Sequence, residues 1–531
     1  MDKMTDRAKR LVIQVENSGL KWMREHATII FFDILFGIIV YSMMLSGNLV
    51  NSVDGIWHTS HFIAGAWETS LGRGLLYFFD KLRSGLVSMP LNTILTIFFI
   101  SISASLMLDI YSRREKGIKI LISMFLIASP ITGIILSHCY MSVDFSLALL
   151  FSVIAVWWIH SKYRLAGIFC GGVFIALSMG CYQAYFGITC LLILMLLMKK
   201  LSEFEEWKKI IQFTARSALT IVIGGVFYII IANSLLIKYG IQLSSYRGAS
   251  EVSLSKMIMS FPASVGRCYK YFYEYFMKHN MYLTVPRKSF LLLIGIGFFV
   301  LFCVLRLFVM IWRKNRIYAI CFLGCVCLIP VASGAILLIV QGTDMILLMS
   351  MSLAVSPELC LLLCVSLMPE EGKLSFFTRK LNLLLLFLLI YVEVITVTND
   401  QLALKEGKKA TEGLTNAIVS ELILEGYLED DYAVSIVGRP SENSLFAKRP
   451  AWSAANAYAK FGSYWMGGRE GYRTWKGFLI EGCGINLNFC TEEQYKNLLQ
   501  TNELSEMPVF PAEGSIREID GVVVVKVSDV Y

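Results

Sequence analysis

Charge is what this 531-residue chain has least of. Asp, Glu, Lys and Arg make up 17% of it, 56% is hydrophobic, and the mean hydropathy is +0.62. Soluble domains carry about 25% charged residues, so the deficit excludes an ordinary soluble fold and points to lipid as the main solvent. Other absences narrow the chemistry. There is no Cys-x-x-Cys pair, and Cys325 and Cys327 have no His or carboxylate nearby in sequence, which argues against a metal site. Cys170, Cys303, Cys321, Cys325, Cys327, Cys360 and Cys364 lie in apolar runs and read as small buried hydrophobes. Only Cys483 and Cys490, in a polar tail, are placed to form a disulfide. A glycine-rich phosphate loop and an Asp-x-Asp pair are both missing, as are internal repeats and low-complexity segments. Without them nothing marks a nucleotide site. No small-residue cleavage site follows the first apolar run, so it reads as an uncleaved span.

What is present is a series of apolar runs near the length that crosses a bilayer. Residues 1–27 form a polar, basic, amphipathic amino terminus. Eleven spans follow, at 28–47, 91–111, 117–137, 144–160, 165–180, 184–198, 217–237, 289–311, 317–340, 346–368 and 381–398. The fifth and sixth are short enough to be pieces of an irregular hairpin. Basic clusters ("KWMREH", "RREKGIK", "SKYR", "KK", "RKNR" and "PEEGKLSFFTRK") fall between spans on one side, which the positive-inside rule makes the cytoplasm. The +8 net charge therefore needs no nucleic-acid partner. The expected fold is an all-α polytopic membrane domain over 28–398 with outer loops 48–90 and 238–288. The amino terminus lies inside, and an α/β domain over 399–531 lies outside. In that tail "TEGLTNAIVSELILEGY" predicts a helix, "YAVSIVGRP" a strand, and "SIREIDGVVVVKV" a hairpin about Asp520-Gly521.

The chemistry-bearing residues gather on the outer side. In loop 48–90, Ile63, Trp67, Leu71, Leu75, Phe78, Phe79 and Leu82 recur at helical steps, predicting an amphipathic helix over 61–82 lying in the membrane surface. Asp54 precedes it. Asp54-Gly55 reads either as a plain turn or as a carboxylate held where a lipid head group meets an aqueous acceptor. A sugar on a lipid phosphate already has a good leaving group. Such a site needs a base for the acceptor hydroxyl and cations for the phosphate, roles that suit Asp54 and Arg73. Asp144 opens the fourth span, either to bind an acceptor hydroxyl or to complement a helix dipole. Tyr182 and Gln183 sit where the fifth span meets the sixth. In the second outer loop, aromatic rings interleave with Arg267, Lys270, Lys278, Arg287 and Lys288, and the last two stand at the membrane boundary. His58 and His61 lack a third ligand, so no zinc site is expected.

Two stretches carry a resemblance. "NSVDGIWH…AGAWETSLGRGLLYFF" resembles the first outer loop of the Gtr-type (GtrII-like) glucosyltransferases of bacteria and phages, within the GT-C superfamily, and "LSMGCYQAYFGIT" resembles that family's Tyr-Gln segment. The chain departs from the family in having Gly74 after its Gly-Arg, where a bulky residue is common. The resemblance implies transfer of a hexose, glucose in this family, from a polyprenyl phosphate to a cell-surface polysaccharide, outside a bacterial inner membrane and with inversion. It implies Asp54 as base, with Arg73 and Gln183 near donor or acceptor; from their place at the membrane boundary, Arg287 and Lys288 would join Arg73 at the donor phosphate. Trp57, His58, Asp144, Tyr182 and Gln183 would then bind substrate. No cofactor beyond the lipid-linked donor is expected. The rival readings are a flippase for lipid-linked sugars and a lipid-linked glycan polymerase or ligase. Most mid-span positions are apolar, with Asp33, Arg306, Glu358 and Glu393 as exceptions, which favours an enzyme at a surface over a conduit.

Overall fold

The computed structural model describes residues 2–111, 116–246, 254–277, 287–340, 344–356, 360, 373–427, 432–438, 445–446 and 471–529. Its framework is helical. Helix α1 (Asp2–Val40) is followed after one residue by α2 (Ser42–Gly47), so the first predicted span is two pieces. Gln401 bridges the break: its amide donates to the Val40 carbonyl, and its oxygen accepts from the Met44 N–H. The second span is α5 (Met89–Ile110). The third divides into α6 (Lys116–Ala128) and α7 (Pro130–Ser137), bent by 52°. Pro130 has no N–H to continue α6 and disfavours helix at the residue before it, while Ser129 caps the new start by accepting from Ile131 N–H. Helices α8 (Cys139–His160), α9 (Arg164–Tyr182), α10 (Phe186–Ser202) and α11 (Trp207–Tyr239) follow.

Among the described residues seven helices could cross a membrane by length and composition, or eight if the bent α6–α7 pair is one span. That count takes 164–202 as a single rod. The chain instead turns back at 183–185. Both ends of the run meet at His160: Arg216, beside Arg164, caps the carbonyls of Trp158, Ser161 and Tyr163, and Lys199 and Lys200 act on the His160 ring. The irregular hairpin expected from the sequence is therefore present. The same end of the molecule is tied by Asp109, which accepts from Trp22 (2.6 Å) and pairs with Lys119. Polar groups buried in this way hold α1, α5 and α6 in register.

Later helices are α12 (Leu254–Met259), α13 (Phe261–Met277), α14 (Arg287–Lys314), α15 (Arg316–Ser333) and α16 (Ile336–Ile339). Residues 357–359 and 361–368 of the tenth predicted span lie outside the described residues. Helix α17 (Lys373–Leu424) runs 52 residues, about 78 Å at 1.5 Å per residue, so it passes from the last predicted span into the tail without a break. The boundary drawn at 398/399 falls inside it. In the tail, β1 (Ala433–Val437) pairs in parallel with β3 (Val522–Lys526), and β3 pairs antiparallel with β2 (Ile516–Ile519). The hairpin turns at Asp520 and Gly521, both at positive φ, as Asp-Gly in a two-residue turn requires. The side chains of Val434, Ile436, Val523 and Val525 join the same apolar core as the membrane helices. Cys483 and Cys490 are not bonded to each other.

The predicted amphipathic helix over 61–82 is broken. Residues 61–65 are extended, and only α3 (Ala66–Ser70) and α4 (Leu76–Leu82) are helical. Gly72 turns the chain between them at φ +75°, and a Cβ there would lie 2.4 Å from the Tyr228 hydroxyl, so only glycine fits. Trp67, Phe78 and Leu82 remain exposed, which suits apolar side chains meeting lipid.

Candidate functional site

Asp54 is set by local chain chemistry. After α2, the Asn51 side-chain oxygen accepts from the N–H groups of Val53 (2.9 Å) and Asp54 (3.1 Å), an Asx turn that places Asp54 immediately before the helical turn Gly55–Trp57. Asn51 N–H donates to the Ser137 carbonyl at 2.7 Å, anchoring the loop on the break between α7 and α8. Gly55 lies so close to that carbonyl that a Cβ would stand 2.8 Å from it. The turn is thus pinned by backbone, while the Asp54 carboxylate is exposed and takes no part in capping.

A ring cluster forms the wall beside it. His58 lies 4.7 Å from both Phe62 and Tyr140, and Tyr140 lies 6.4 Å from His138. The charges of Asp54, Glu68, Arg73 and Arg473 all reach the Tyr140 hydroxyl, and Asp54 also acts on His58 and His138. Asp54, Glu68 and Arg73 of the loop and Arg473 of the tail are therefore near enough to act on the same hydroxyl. Burial is the main influence on His58 and lowers its pKa, aided by Arg473; Glu68, Asp54 and Glu481 pull the other way. His58 is expected to be neutral at pH 7. Any step it causes in the pH profile of kcat/KM should lie below 6.5 and vanish in His58→Gln. A step at or above 6.5 would show that the carboxylates outweigh burial.

Arg73 is held from beneath. Its Nε donates to Gln183 Oε1 at 3.2 Å, and its guanidinium sits 4.7 Å over the Tyr182 ring. Gln183 is fixed in turn by donating to the Leu71 carbonyl (2.6 Å) and the Tyr228 hydroxyl (3.0 Å). With Nε and the ring face used, the terminal guanidinium nitrogens stay available for an anion. The three residues predicted here, Arg73, Tyr182 and Gln183, form one unit, although 110 residues separate Arg73 from Gln183 in the chain.

Asp144 is elsewhere. It is 1% exposed and accepts from Arg83 at 2.8 Å, and Arg83 also pairs with Asp80 at 2.5 Å. Asp80 in turn accepts from the Ala64 N–H at 2.8 Å. This buried cluster ties α4 and the extended 61–65 segment to the start of α8, so Asp144 supports the loop from below. Trp57 is half-buried, its indole edge covered by Gly477 of the tail. Helix α14 begins at Arg287, but the side chains of Arg287 and Lys288 lie outside the described residues. Asp344 accepts from the Tyr271 hydroxyl at 2.5 Å. Among the described residues no three His, Cys, Asp or Glu side chains are close enough to hold a metal ion.

The loop that carries Asp54 and Arg73 and the hairpin that carries Gln183 fall within residues 42–355, and a model of one protein family, Glucosyl transferase GtrII, matches that whole range. The chain belongs to the GtrII glucosyl transferase family. Glucosyl transfer is the activity that membership carries. The matched range ends before the tail, and no curated protein and no solved structure matches the chain.

Sequence reasoning missed several residues around this candidate site. Tyr140 and His138 stood in the short "HCYMSV" turn, where two ring-bearing polar residues next to Asp144 were a usable signal. Glu68 was visible in the loop, but its role at Tyr140 was not. Arg473 and Glu481 had no local signal at all, because they approach from a tail segment distant in sequence.

Proposed function

We propose that this GtrII chain transfers glucose from a polyprenyl phosphate to a hydroxyl of a surface polysaccharide, on the outer face of a bacterial inner membrane. The topology is an eleven-span GT-C arrangement with the amino terminus inside and the tail outside. Asp54 takes the proton from the acceptor hydroxyl. That oxygen attacks the anomeric carbon as the bond to the phosphate oxygen breaks on the opposite side, inverting the configuration. Arg73, with Arg287 and Lys288, stabilises the departing lipid phosphate.

The observation that carries this reading is the pairing of an exposed Asp54, pinned only through its backbone, with an Arg73 locked in place by Tyr182 and Gln183. An exposed carboxylate and an organised cation that both act on Tyr140 suit displacement at a sugar phosphate. Tyr228, which bonds Gln183, lies on α11, whose Val226, Ile229 and Ile230 are exposed apolar side chains. A lipid carrier therefore has an apolar path to the Arg73 side of the site.

Reconstituted protein tests the reading. Glucosyl polyprenyl phosphate plus purified surface glycan should give glycan-bound glucose with inverted anomeric configuration, and a nucleotide-glucose donor should give none. Transfer from the nucleotide donor, or translocation of the lipid without transfer, would overturn it.

A further inference from the structure

The tail enters the site from outside the range matched by the family. Helix α18 (Gly471–Gly477) and the wide turn Phe478–Gly482 press on the helical turn that follows Asp54. Gly477 touches the Trp57 indole so closely that a Cβ would stand 2.7 Å from the ring, and a Cβ on Gly482 would lie 3.4 Å from Ile56. The guanidinium of Arg473 lies 6.0 Å over the Trp57 ring, and Thr59 Oγ1 donates to Glu481 Oε2 at 3.4 Å. Trp475 and Phe478 are buried behind this contact, so the segment is a packed element. Arg473 and Glu481 are themselves exposed, and each meets the turn that follows Asp54, Arg473 at Trp57 and Glu481 at Thr59.

We propose that Arg473 and Glu481 form the acceptor subsite, binding the hydroxyl-rich glycan chain beside Asp54, with Trp57 as the surface that positions them. The proposal rests on the glycosyl-transfer reading above. Two observations assign this pair to the acceptor and not to the lipid phosphate. The pair combines five N–H donors with a carboxylate acceptor, which matches the alternating donors and acceptors of sugar hydroxyls; a phosphate site would exclude the carboxylate. Position decides in the same direction. Arg73 is attached to the spans through Gln183 and Tyr228, where a lipid head group must arrive, whereas Arg473 hangs from the tail and lies over Trp57, three residues after Asp54.

Steady-state kinetics on full-length protein in liposomes test the assignment, with glucosyl polyprenyl phosphate and purified surface glycan varied in turn. Arg473→Ala and Glu481→Gln should each raise KM for the glycan about tenfold, the loss expected for a hydrogen bond to a charged group, while KM for the lipid donor moves less than about twofold. Arg473→Lys should recover part of the loss by keeping the charge without the planar fork. Gly477→Leu, which forces the tail off Trp57 without touching either charge, should reproduce the rise in glycan KM. A rise in donor KM instead would move Arg473 to the lipid phosphate and overturn the proposal, and so would unchanged KM for both substrates. If wild-type protein transfers nothing from the lipid donor, the functional reading itself has failed, an outcome the variants cannot imitate.

Discussion

Asp54→Asn is expected to lower kcat by about 10²–10⁴-fold, the range lost with a positioned general base, with the protein still folded and KM for both substrates little changed. The amide is close to the carboxylate in size and shape but cannot accept the acceptor proton. Nothing in the local fold depends on the missing charge. The turn is held by Asn51 bonding to the backbone of Val53 and Asp54 and by Asn51 N–H bonding to Ser137. Asp54 makes no side-chain cap. Loss of activity in this variant would therefore be chemical. Single-turnover transfer from glucosyl polyprenyl phosphate, with folding checked by thermal unfolding, separates the outcomes. A rate within about threefold of wild type would remove Asp54 from its role, since even the weakest general-base contribution exceeds that.

The second large effect is structural. Arg83→Met should destabilise the folded protein by about 3–5 kcal/mol, the cost of leaving buried charges without their partner. Asp80 and Asp144 are 0% and 1% exposed, and Arg83 is the cation between them. Burial already raises the Asp80 pKa above its ordinary 3.8, against the opposing pull of the Ala64 N–H and Arg83. The sign of the pH dependence follows. Between 3.8 and the raised value the folded chain holds a proton that the unfolded chain has lost, so stability increases as pH falls through that window. Removing Arg83 widens the window, so the variant should melt lowest at neutral or alkaline pH and recover in mild acid. Asp80→Asn and Asp144→Asn added to Arg83→Met should restore much of the loss at neutral pH, because no unpaired charge is then buried. Melting curves in detergent across a pH series check both. An Arg83→Met curve that matches wild type at every pH would show that the cluster does not hold the loop.

The membrane class, the short hairpin at 183, the tail strand and the Asp520-Gly521 turn were legible in the sequence. Each rests on a local or periodic property. Hydropathy over one bilayer thickness, the conformational needs of Asp-Gly, and alternation along a strand act within a few residues of where they are read. Asp54 and Arg73 could be picked out because charge is rare in this chain and these two stand before, and on the polar side of, the apolar stripe of the loop. The helix predicted over 61–82 failed on tertiary grounds. Its apolar spacing was real, but Gly72 had to turn against Tyr228 and Asp80 captured the Ala64 N–H, and these contacts come from other parts of the fold.

The sequence by itself determined a GtrII-like membrane protein with an exposed carboxylate after its first span and an arginine downstream. Only the tertiary structure decided which charges work together. Asp144, alike in type to Asp54, is sequestered by Arg83, while Gln183, Tyr140 and Arg473 come from distant segments to meet Arg73, His58 and Trp57 of the loop. The physical reason is that a side chain's charge is useful or inert according to burial and partners. Those depend on contacts between residues far apart in the chain, which no local pattern encodes.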